Sequence, residues 1–235
     1  MFLFFHDVTI AAPEAALEAT IRMSDKCREM GQARGNLLPL LSQELDHLLG
    51  EDVHEVFNNR EGFVGLAYRE VFPRNKAILD TYFDSKEHVI DSICNSSMFP
   101  FFSTNFPCRL AKQKTGVLPR VVVDGYFSVD RNRFGCPDFD TMDHYRKLMN
   151  EEPVKIERTI SLSVFPHDFF KIDAFDSCDQ ISPLLDNPND IAEQMSQLFR
   201  LATQCGTKDD YFSLYEQGWN DAERWITEEK NRNVK

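Results

Sequence analysis

The sequence predicts a domain of the mixed α/β class. Stretches with apolar residues at three- and four-residue steps alternate with short runs of β-branched and aromatic residues. The chain has 235 residues, of which 42% are hydrophobic, and this is enough for one substantial core. Alternating helices and strands are typical of domains in which helices pack on a sheet. We therefore expect a single layered domain over residues 1–235.

Two helices are predicted near the N-terminus. Pro13 suits the first turn of a helix, and apolar residues follow it at helical spacing. These residues are Ala16, Ala19, Met23, Cys27 and Met30. The second helix is predicted from Asn36 to Leu49, where leucines share one face and Gly50 can end the helix. Both helices are expected to serve packing.

Two strands and a third helix are predicted next. The stretches from Gly62 to Phe72 and from Lys76 to Phe83 are rich in strand-forming residues. Because only the turn PRN separates them, we expect adjacent strands. A D-x-x-E pattern beginning at Asp84 then indicates a capped helix start. The apolar face of that helix consists of Val89, Ile90, Ile93 and Cys94.

The stretch RVVVDGYFS, which begins at Arg120, predicts a strand that ends on Asp124 and Gly125. Its three consecutive valines leave no polar side, so the strand is expected to be buried on both faces. A further strand is predicted from Arg158 to Phe165. Two helices are predicted over residues 190–229.

Charge and residue spacing argue against several function classes. Lys and Arg number 26 against 38 Asp and Glu, which gives a net charge of −12, so nucleic acid is not expected as a partner. The six cysteines form no C-x-x-C and the histidines show no ligand spacing, so we expect reduced thiols and no metal or other cofactor. His6 and Asp7 interrupt the apolar start of the chain. We therefore expect no transmembrane helix, no secretion and a cytoplasmic location.

Asp124 followed by Gly125 is the clearest candidate for chemistry. Ligands of open α/β sheets collect at the carboxyl ends of strands, where a carboxylate could accept a proton from a nucleophile. The alternative is a D-G turn in which the carboxylate bonds its own backbone. The local pattern alone favours the turn.

The order of motifs resembles the patatin-like phospholipase family, particularly its branch around adipose triglyceride lipase. In chain order the motifs are REGFVGLAYREVF, AILDTYFDSKEHVIDSICNSSMFPFF, RVVVDGYFS, TISLSVFP and LYEQGWNDAERWI. In that family, F-x-S-K-x-x-(I/L)-I precedes a strand ending in D-G-G or D-G-A, and a late helix contains Q-G-(Y/W)-x-D. The resemblance extends from about Ala12 to Ile226.

The resemblance implies a layered α/β/α domain with a mostly parallel central sheet, and a serine–aspartate dyad that hydrolyses acyl esters of lipids. Asp124 matches the dyad aspartate, and Gly125 matches the loop after it. The implied substrates are acylglycerols or phospholipids, met at a lipid-droplet or membrane surface. Phe99, Phe101 and Phe102 could line an acyl-chain pocket, although aromatic clusters fill cores more often than they bind ligands, and the core interpretation is favoured.

The chain departs from the family at the nucleophile. The family serine lies in a G-x-S-x-G elbow, a glycine-rich loop supplies oxyanion donors, and neither motif occurs in these 235 residues. Because the elbow precedes the helix that matches the one at Pro13, we expect a partial domain that lacks its first strands. Residues 1–11 are then an unrelated extension. Tyr126 also replaces a small residue of the family, which puts a serine's approach to Asp124 in doubt.

Two functions remain open. The first is a lipid acyl hydrolase whose nucleophile and oxyanion loop are absent from the chain, so that it is inactive as written. The alternative is a non-catalytic relative that binds a lipid surface or a partner protein. A sheet without its first strands would expose an apolar edge, so oligomerisation is expected unless the N-terminal residues pair as a substitute strand.

Overall fold

The computed structural model describes residues 13–62, 64–111, 118–129, 158–163, 179–183 and 190–233. They form a mixed α/β structure, which confirms the predicted class. The helices are α1 Pro13–Glu29, α2 Leu37–Leu48, α3 Val53–Asn59, α4 Lys86–Ser96, α5 Asp190–Gln204 and α6 Lys208–Asn233. The strands are β1 Leu66–Phe72, β2 Lys76–Asp80, β3 Arg109–Ala111, β4 Arg120–Val123, β5 Ser161–Leu162 and β6 Gln180–Ile181.

Four strands form an antiparallel sheet in the order β2-β1-β4-β3. Strands β1 and β2 pair across the predicted PRN turn, with Tyr68 opposite Ile78. Strand β4 lies between β1 and β3, and a bulge interrupts its pairing with β1 between Glu70 and Phe72. Within this sheet, Val122 and Val123 are buried, as the valine run predicted.

The expected mostly parallel central sheet is not found in the described residues. A three-residue turn joins β1 and β2, and so short a connection permits only antiparallel pairing, whereas parallel neighbours need a long crossover. The parallel pairing that is described joins β5 to β6 in a separate two-stranded sheet. The spacing of strand-forming residues predicted where strands occur better than it predicted their direction.

Helix α4 packs on one face of the four-stranded sheet, and α2 and α3 pack against α4. Its N-cap is Ser85, whose hydroxyl oxygen accepts a hydrogen bond from the His88 N–H at 3.2 Å. The cap therefore lies one residue after the predicted Asp84. The main core joins these helices to β1 and consists of Leu38, Leu49, Val53, Phe57, Val64, Leu66, Phe83, Val89, Ile90, Cys94 and Met98.

Three short elements, α3, β3 and the two-residue β6, have no counterpart in the prediction. Helix α3 has seven residues and buries only Val53 and Phe57. Two buried residues are too few for a helical apolar repeat to be recognised in the sequence. Strand β3 has three residues. The predicted strand from Arg158 to Phe165 is present as Ser161–Leu162, and residues 164 and 165 lie outside the described ranges.

The two C-terminal helices, α5 and α6, occur where the apolar spacing predicted them. The residues between them lie against α1. The Ser24 hydroxyl of α1 donates a hydrogen bond to the Gly206 carbonyl oxygen at 2.9 Å, and both groups are buried. Residues 1–11, the predicted extension, lie outside the described ranges.

Candidate functional site

Asp124 directly follows β4 and caps the 3-10 helix Gly125–Ser128. Its Oδ1 accepts a hydrogen bond from the Tyr126 N–H at 2.7 Å. Its own N–H donates to the Met98 carbonyl oxygen at 2.9 Å. The carboxylate therefore makes the local bond of the D-G turn interpretation. The Met98 bond also joins the end of β4 to the phenylalanine-rich segment, so both candidate regions lie side by side.

The surroundings of Asp124 make its carboxyl a weaker acid than a free aspartic acid. Burial raises the pKa of this carboxyl, and the hydrogen bond from the Tyr126 N–H opposes the rise. Within the described ranges, no serine or threonine hydroxyl donates to Asp124, whereas a nucleophile must lie within hydrogen-bond reach of its base. Among the described residues, Asp124 thus has no serine or threonine partner with which it could form a dyad.

Gly125 is required by close packing. A Cβ at this position would collide with the carbonyl oxygen of Ala67 on β1. Only a residue without a side chain lets the turn approach the strand so closely. The Ser128 hydroxyl then donates to the Gly125 carbonyl oxygen at 2.5 Å and closes the turn. The D-G pair is therefore explained by capping at its first residue and by packing at its second.

An exposed aromatic patch lies beside this turn. It combines the exposed Phe99, Phe101 and Phe106 with the half-buried Tyr126 and Phe127 of the turn, and these five residues are hereafter the aromatic patch. The Phe99 ring lies 5.6 Å from the Phe127 ring and 6.5 Å from the Tyr126 ring, measured between centroids. The exposed fractions of Phe99, Phe101 and Phe106 are 44%, 52% and 67%. The core interpretation of Phe99 and Phe101 is therefore wrong.

Phe102 differs from its neighbours because it is half-buried. Its carbonyl oxygen accepts a hydrogen bond from the Gly35 N–H at 2.8 Å, and the Ser103 carbonyl accepts one from the Leu38 N–H at 3.0 Å. These bonds attach the phenylalanine-rich segment to the start of α2. The backbone beneath the aromatic patch is thus fixed to the helical layer.

Phe101 has a left-handed backbone conformation with φ of 57°. Its N–H donates to the Phe106 carbonyl oxygen at 3.0 Å, and its own carbonyl accepts a bond from Arg34 Nε at 2.6 Å. The left-handed region costs a residue with a Cβ roughly 1–2 kcal/mol, which glycine avoids. Because about half of Phe101 is exposed, core packing does not offset this cost. Strained backbone positions cluster at functional sites, so Phe101 is a candidate for a role at the surface.

A serine and an aspartate share a hydrogen bond elsewhere, at a pair that sequence reasoning missed. Ser92 Oγ on α4 donates to Asp80 Oδ2 on β2 at 2.8 Å, and the Tyr68 hydroxyl donates to the same oxygen at 2.8 Å. Burial, followed by the Asp80 charge, raises the pKa of Tyr68. Ser92 is 1% exposed and lies inside a helix, so no ester can reach it. The pair therefore serves helix–sheet packing.

Among the described residues, no group of three His, Cys, Asp or Glu side chains is placed to hold a metal ion. None of the described helices has the length and apolar character needed to cross a bilayer. Comparison with family models, with functionally characterised proteins and with solved structures finds no match to this chain.

Proposed function

We propose that this protein is a patatin-like relative that binds lipid surfaces through its aromatic patch, and that the chain as given does not cleave esters. The observation that carries the proposal is the exposure of Phe101 at a backbone position that would suit glycine. The motif order that ends on Asp124 supports the family assignment and, with it, a layered α/β/α domain with a mostly parallel central sheet.

The chemistry of the patch suits acyl chains. Phenylalanine has no polar atom to satisfy, and burying one side chain in an apolar environment is worth roughly 1.5–3 kcal/mol. Phe99, Phe101 and Phe106 are exposed and belong to one hydrogen-bonded segment. We infer that they enter the outer acyl region of a lipid surface together. A net charge of −12 disfavours anionic surfaces. We therefore infer a preference for neutral or zwitterionic lipid.

Flotation with vesicles of phosphatidylcholine, and with triacylglycerol droplets coated by it, tests the proposal. We expect the protein to float with both. Phe101→Gly should weaken binding about tenfold, because one ring is lost. The same change should raise the free energy of unfolding by about 1 kcal/mol, because it relieves the left-handed backbone. Reduced binding by a more stable protein cannot be a folding defect.

Tyr82→Ser is the matched control, since Tyr82 is 66% exposed and lies outside the aromatic patch. This variant should bind as the wild type does. Equal binding by wild type and Phe101→Gly, or no flotation of the wild type, would refute lipid binding by the patch. If the wild type does not float but forms a complex with a defined protein that requires Phe101, the partner-binding alternative is favoured instead.

The second candidate function is hydrolysis of lipid acyl esters by a serine–aspartate dyad. The position of Asp124, at a strand end beside exposed aromatic rings, favours it. We expect no turnover of short-chain nitrophenyl esters by the chain as given, since no described group is placed as an activated nucleophile. Turnover that Asp124→Asn abolishes would overturn this expectation and establish the hydrolase.

A further inference from the structure

Two thiols from distant parts of the sequence meet between α1 and the C-terminal helices. Cys27 lies near the end of α1 and is fully buried. Cys205 follows α5 directly, is half-buried and packs against the cluster formed by Cys27, Ala33 and Leu40. The two cysteines are reduced, and 178 residues of sequence separate their positions. The spacing of the cysteines along the chain does not predict this proximity.

The backbone around Cys205 fixes this arrangement. Ser24 and Cys27 are three residues apart, so they share a face of α1. The Ser24 hydroxyl holds the Gly206 carbonyl at 2.9 Å, and this places the residue before Gly206 next to the same face. Cys205 has a φ of 60°, a conformation that helix ends usually give to glycine. A cysteine thus occupies a strained position whose neighbour is anchored to α1.

We propose that Cys27 and Cys205 are a reversible redox pair, which hydrogen peroxide converts to a disulfide that fastens the C-terminal helices to α1. In the first step the Cys205 sulfur attacks peroxide, and Cys205 sulfenic acid and one water form. In the second step the Cys27 sulfur attacks the Cys205 sulfur, and the Cys27 thiol proton passes to the departing hydroxyl group of the sulfenic acid. The S–S bond forms and a second water leaves, so two thiols lose two electrons and peroxide gains them.

The environments of the two thiols assign these roles. Cys205 is half-buried, so peroxide can reach it, whereas Cys27 is sealed within the cluster. Burial, and then the neighbouring Cys205 thiol, raise the pKa of Cys27 to about 12. Cys27 therefore stays protonated and does not react with peroxide first. Cys27 is therefore the resolving thiol, which attacks the oxidised Cys205. By forming the disulfide, Cys27 protects Cys205 from further oxidation.

The test uses the full chain. The reduced protein is treated with a small excess of hydrogen peroxide, the remaining thiols are blocked with N-ethylmaleimide, and a non-reducing digest is analysed by mass spectrometry. We expect a linked peptide pair that contains Cys27 and Cys205 and that dithiothreitol separates. Thermal unfolding should occur at a higher temperature for the oxidised protein than for the reduced protein, because the bond constrains a long loop of the unfolded chain.

Variants separate this pair from general oxidation. Cys205→Ser, at the half-buried position, should abolish both the linked peptide and the rise in melting temperature, and so should Cys27→Ser. Cys108→Ser, which removes a half-buried thiol of a different segment, should preserve both. Linkage of Cys205 to any other cysteine, conversion of Cys205 to sulfinic acid without linkage, or a melting-temperature rise that persists in Cys205→Ser would overturn the proposal. Lipid flotation does not enter this test, so either proposal can fail alone.

Discussion

Glu70 is a fully buried carboxylate in the middle of the sheet, and its partners determine whether it can be charged there. Arg120 Nε donates to one of its oxygens at 2.7 Å, and Arg74 Nε donates to the other at 3.0 Å. Burial alone would raise the pKa of Glu70, but the hydrogen bonds from these two arginines outweigh it and lower that pKa. The carboxylate is therefore ionised at neutral pH, with both guanidinium groups as partners.

The two arginines differ in exposure, which gives a matched pair of variants. Arg120 also donates to the Tyr68 hydroxyl at 3.2 Å and is one-quarter exposed, whereas Arg74 is 60% exposed. We expect Arg120→Met to lower the free energy of unfolding by about 3 kcal/mol, because it leaves a buried charge poorly compensated. Arg74→Met should cost less than about 1 kcal/mol. Urea denaturation at pH 7 measures both, and equal losses would contradict this account.

Individual residues also show where sequence reasoning succeeds and where it stops. The D-G pair predicted a turn, and the Asp124 bond to the Tyr126 N–H has that form. Its neighbour Phe99 was expected in the core, because composition indicates how apolar a residue is but not whether its backbone faces outward. The sequence does not predict the left-handed conformation of Phe101, because phenylalanine rarely adopts that conformation. The redox pair required knowledge of a contact between distant segments.

Among the elements, α4 shows how a helix start is chosen between adjacent candidates. Asp84 and Ser85 can both cap, and the D-x-x-E pattern favoured the former. In the structure, the Ser85 backbone is extended and its hydroxyl accepts the His88 N–H, while the Asp84 N–H donates to His88 Nδ1 at 3.2 Å. The imidazole thus occupies the role that the glutamate of a capping box would have filled.

Substitution of Ser85 tests this assignment. Ser85→Ala should lower the free energy of unfolding by about 1 kcal/mol, because the His88 N–H loses its acceptor. Ser85→Asp is the control and should retain stability, since an aspartate oxygen also caps and carries favourable charge at a helix N-terminus. Chemical denaturation of the three proteins is the measurement. If alanine and aspartate have the same effect, the side chain of Ser85 is not the cap.

Long, periodic elements were predictable and short ones were not. Helix α2 extends from Leu37 to Leu48, within one residue of the predicted bounds at each end, because its leucines repeat over three turns. Helix α3 and strand β3 are too short for a repeat to be recognised. Strand direction depends on which strands become neighbours in space, and the distance along the chain between β1 and β4 does not reveal that.

At the scale of the whole molecule, the carboxylates determine the response to acid. The Glu44 carboxylate lies between Arg22 Nε and Lys26 Nζ, each 2.9 Å from one of its oxygens. Burial alone would raise the pKa of Glu44, but the hydrogen bonds from these two partners lower that pKa, as the arginines do for Glu70. A hydrogen bond from the Thr207 N–H, with the Thr207 hydroxyl and Arg200, lowers the pKa of Asp210 to about 2. These groups stabilise the fold above their unfolded pKa values of about 4, and this contribution is lost as pH falls through the folded values.

We therefore expect the urea midpoint to fall as the pH is lowered from 5 towards 2. Asp124 has the opposite sign: its raised pKa means that its contribution is present in acid and lost as pH rises through the folded value. Among the described carboxyl groups with shifted pKa values, Asp124 opposes Glu44, Glu70 and Asp210, so we expect the net effect of acid to be destabilising. Circular dichroism during urea titrations at pH 7, 5, 4 and 3 would measure the trend. A midpoint that is constant or rises towards pH 3 would contradict it.

The overall arrangement of layers is only partly explained by sequence. The alternation of helices and strands indicated the class, and α4 against the sheet is the layer contact that positions Asp124 and the aromatic patch. The expected oligomerisation rested on a parallel sheet with missing neighbours. Since the described four-stranded sheet is antiparallel, the physical basis for that expectation is weaker, and it stays a prediction.

The polar contacts between α4 and the sheet also bear on how uniquely the chain folds. Arg109 of β3 contacts Asp91 and Asn95 of α4 at 2.6 and 2.7 Å, and Ser92 contacts Asp80 of β2. An apolar helix face can shift by one turn, about 5.4 Å, and still pack against similar apolar side chains. Here the same shift would separate the Arg109 guanidinium from the Asp91 carboxylate and would also remove the Ser92 hydrogen bond from Asp80. Near-native structures in which α4 has slipped along the strands are therefore less stable. The polar contacts thus select a single alignment of the two layers.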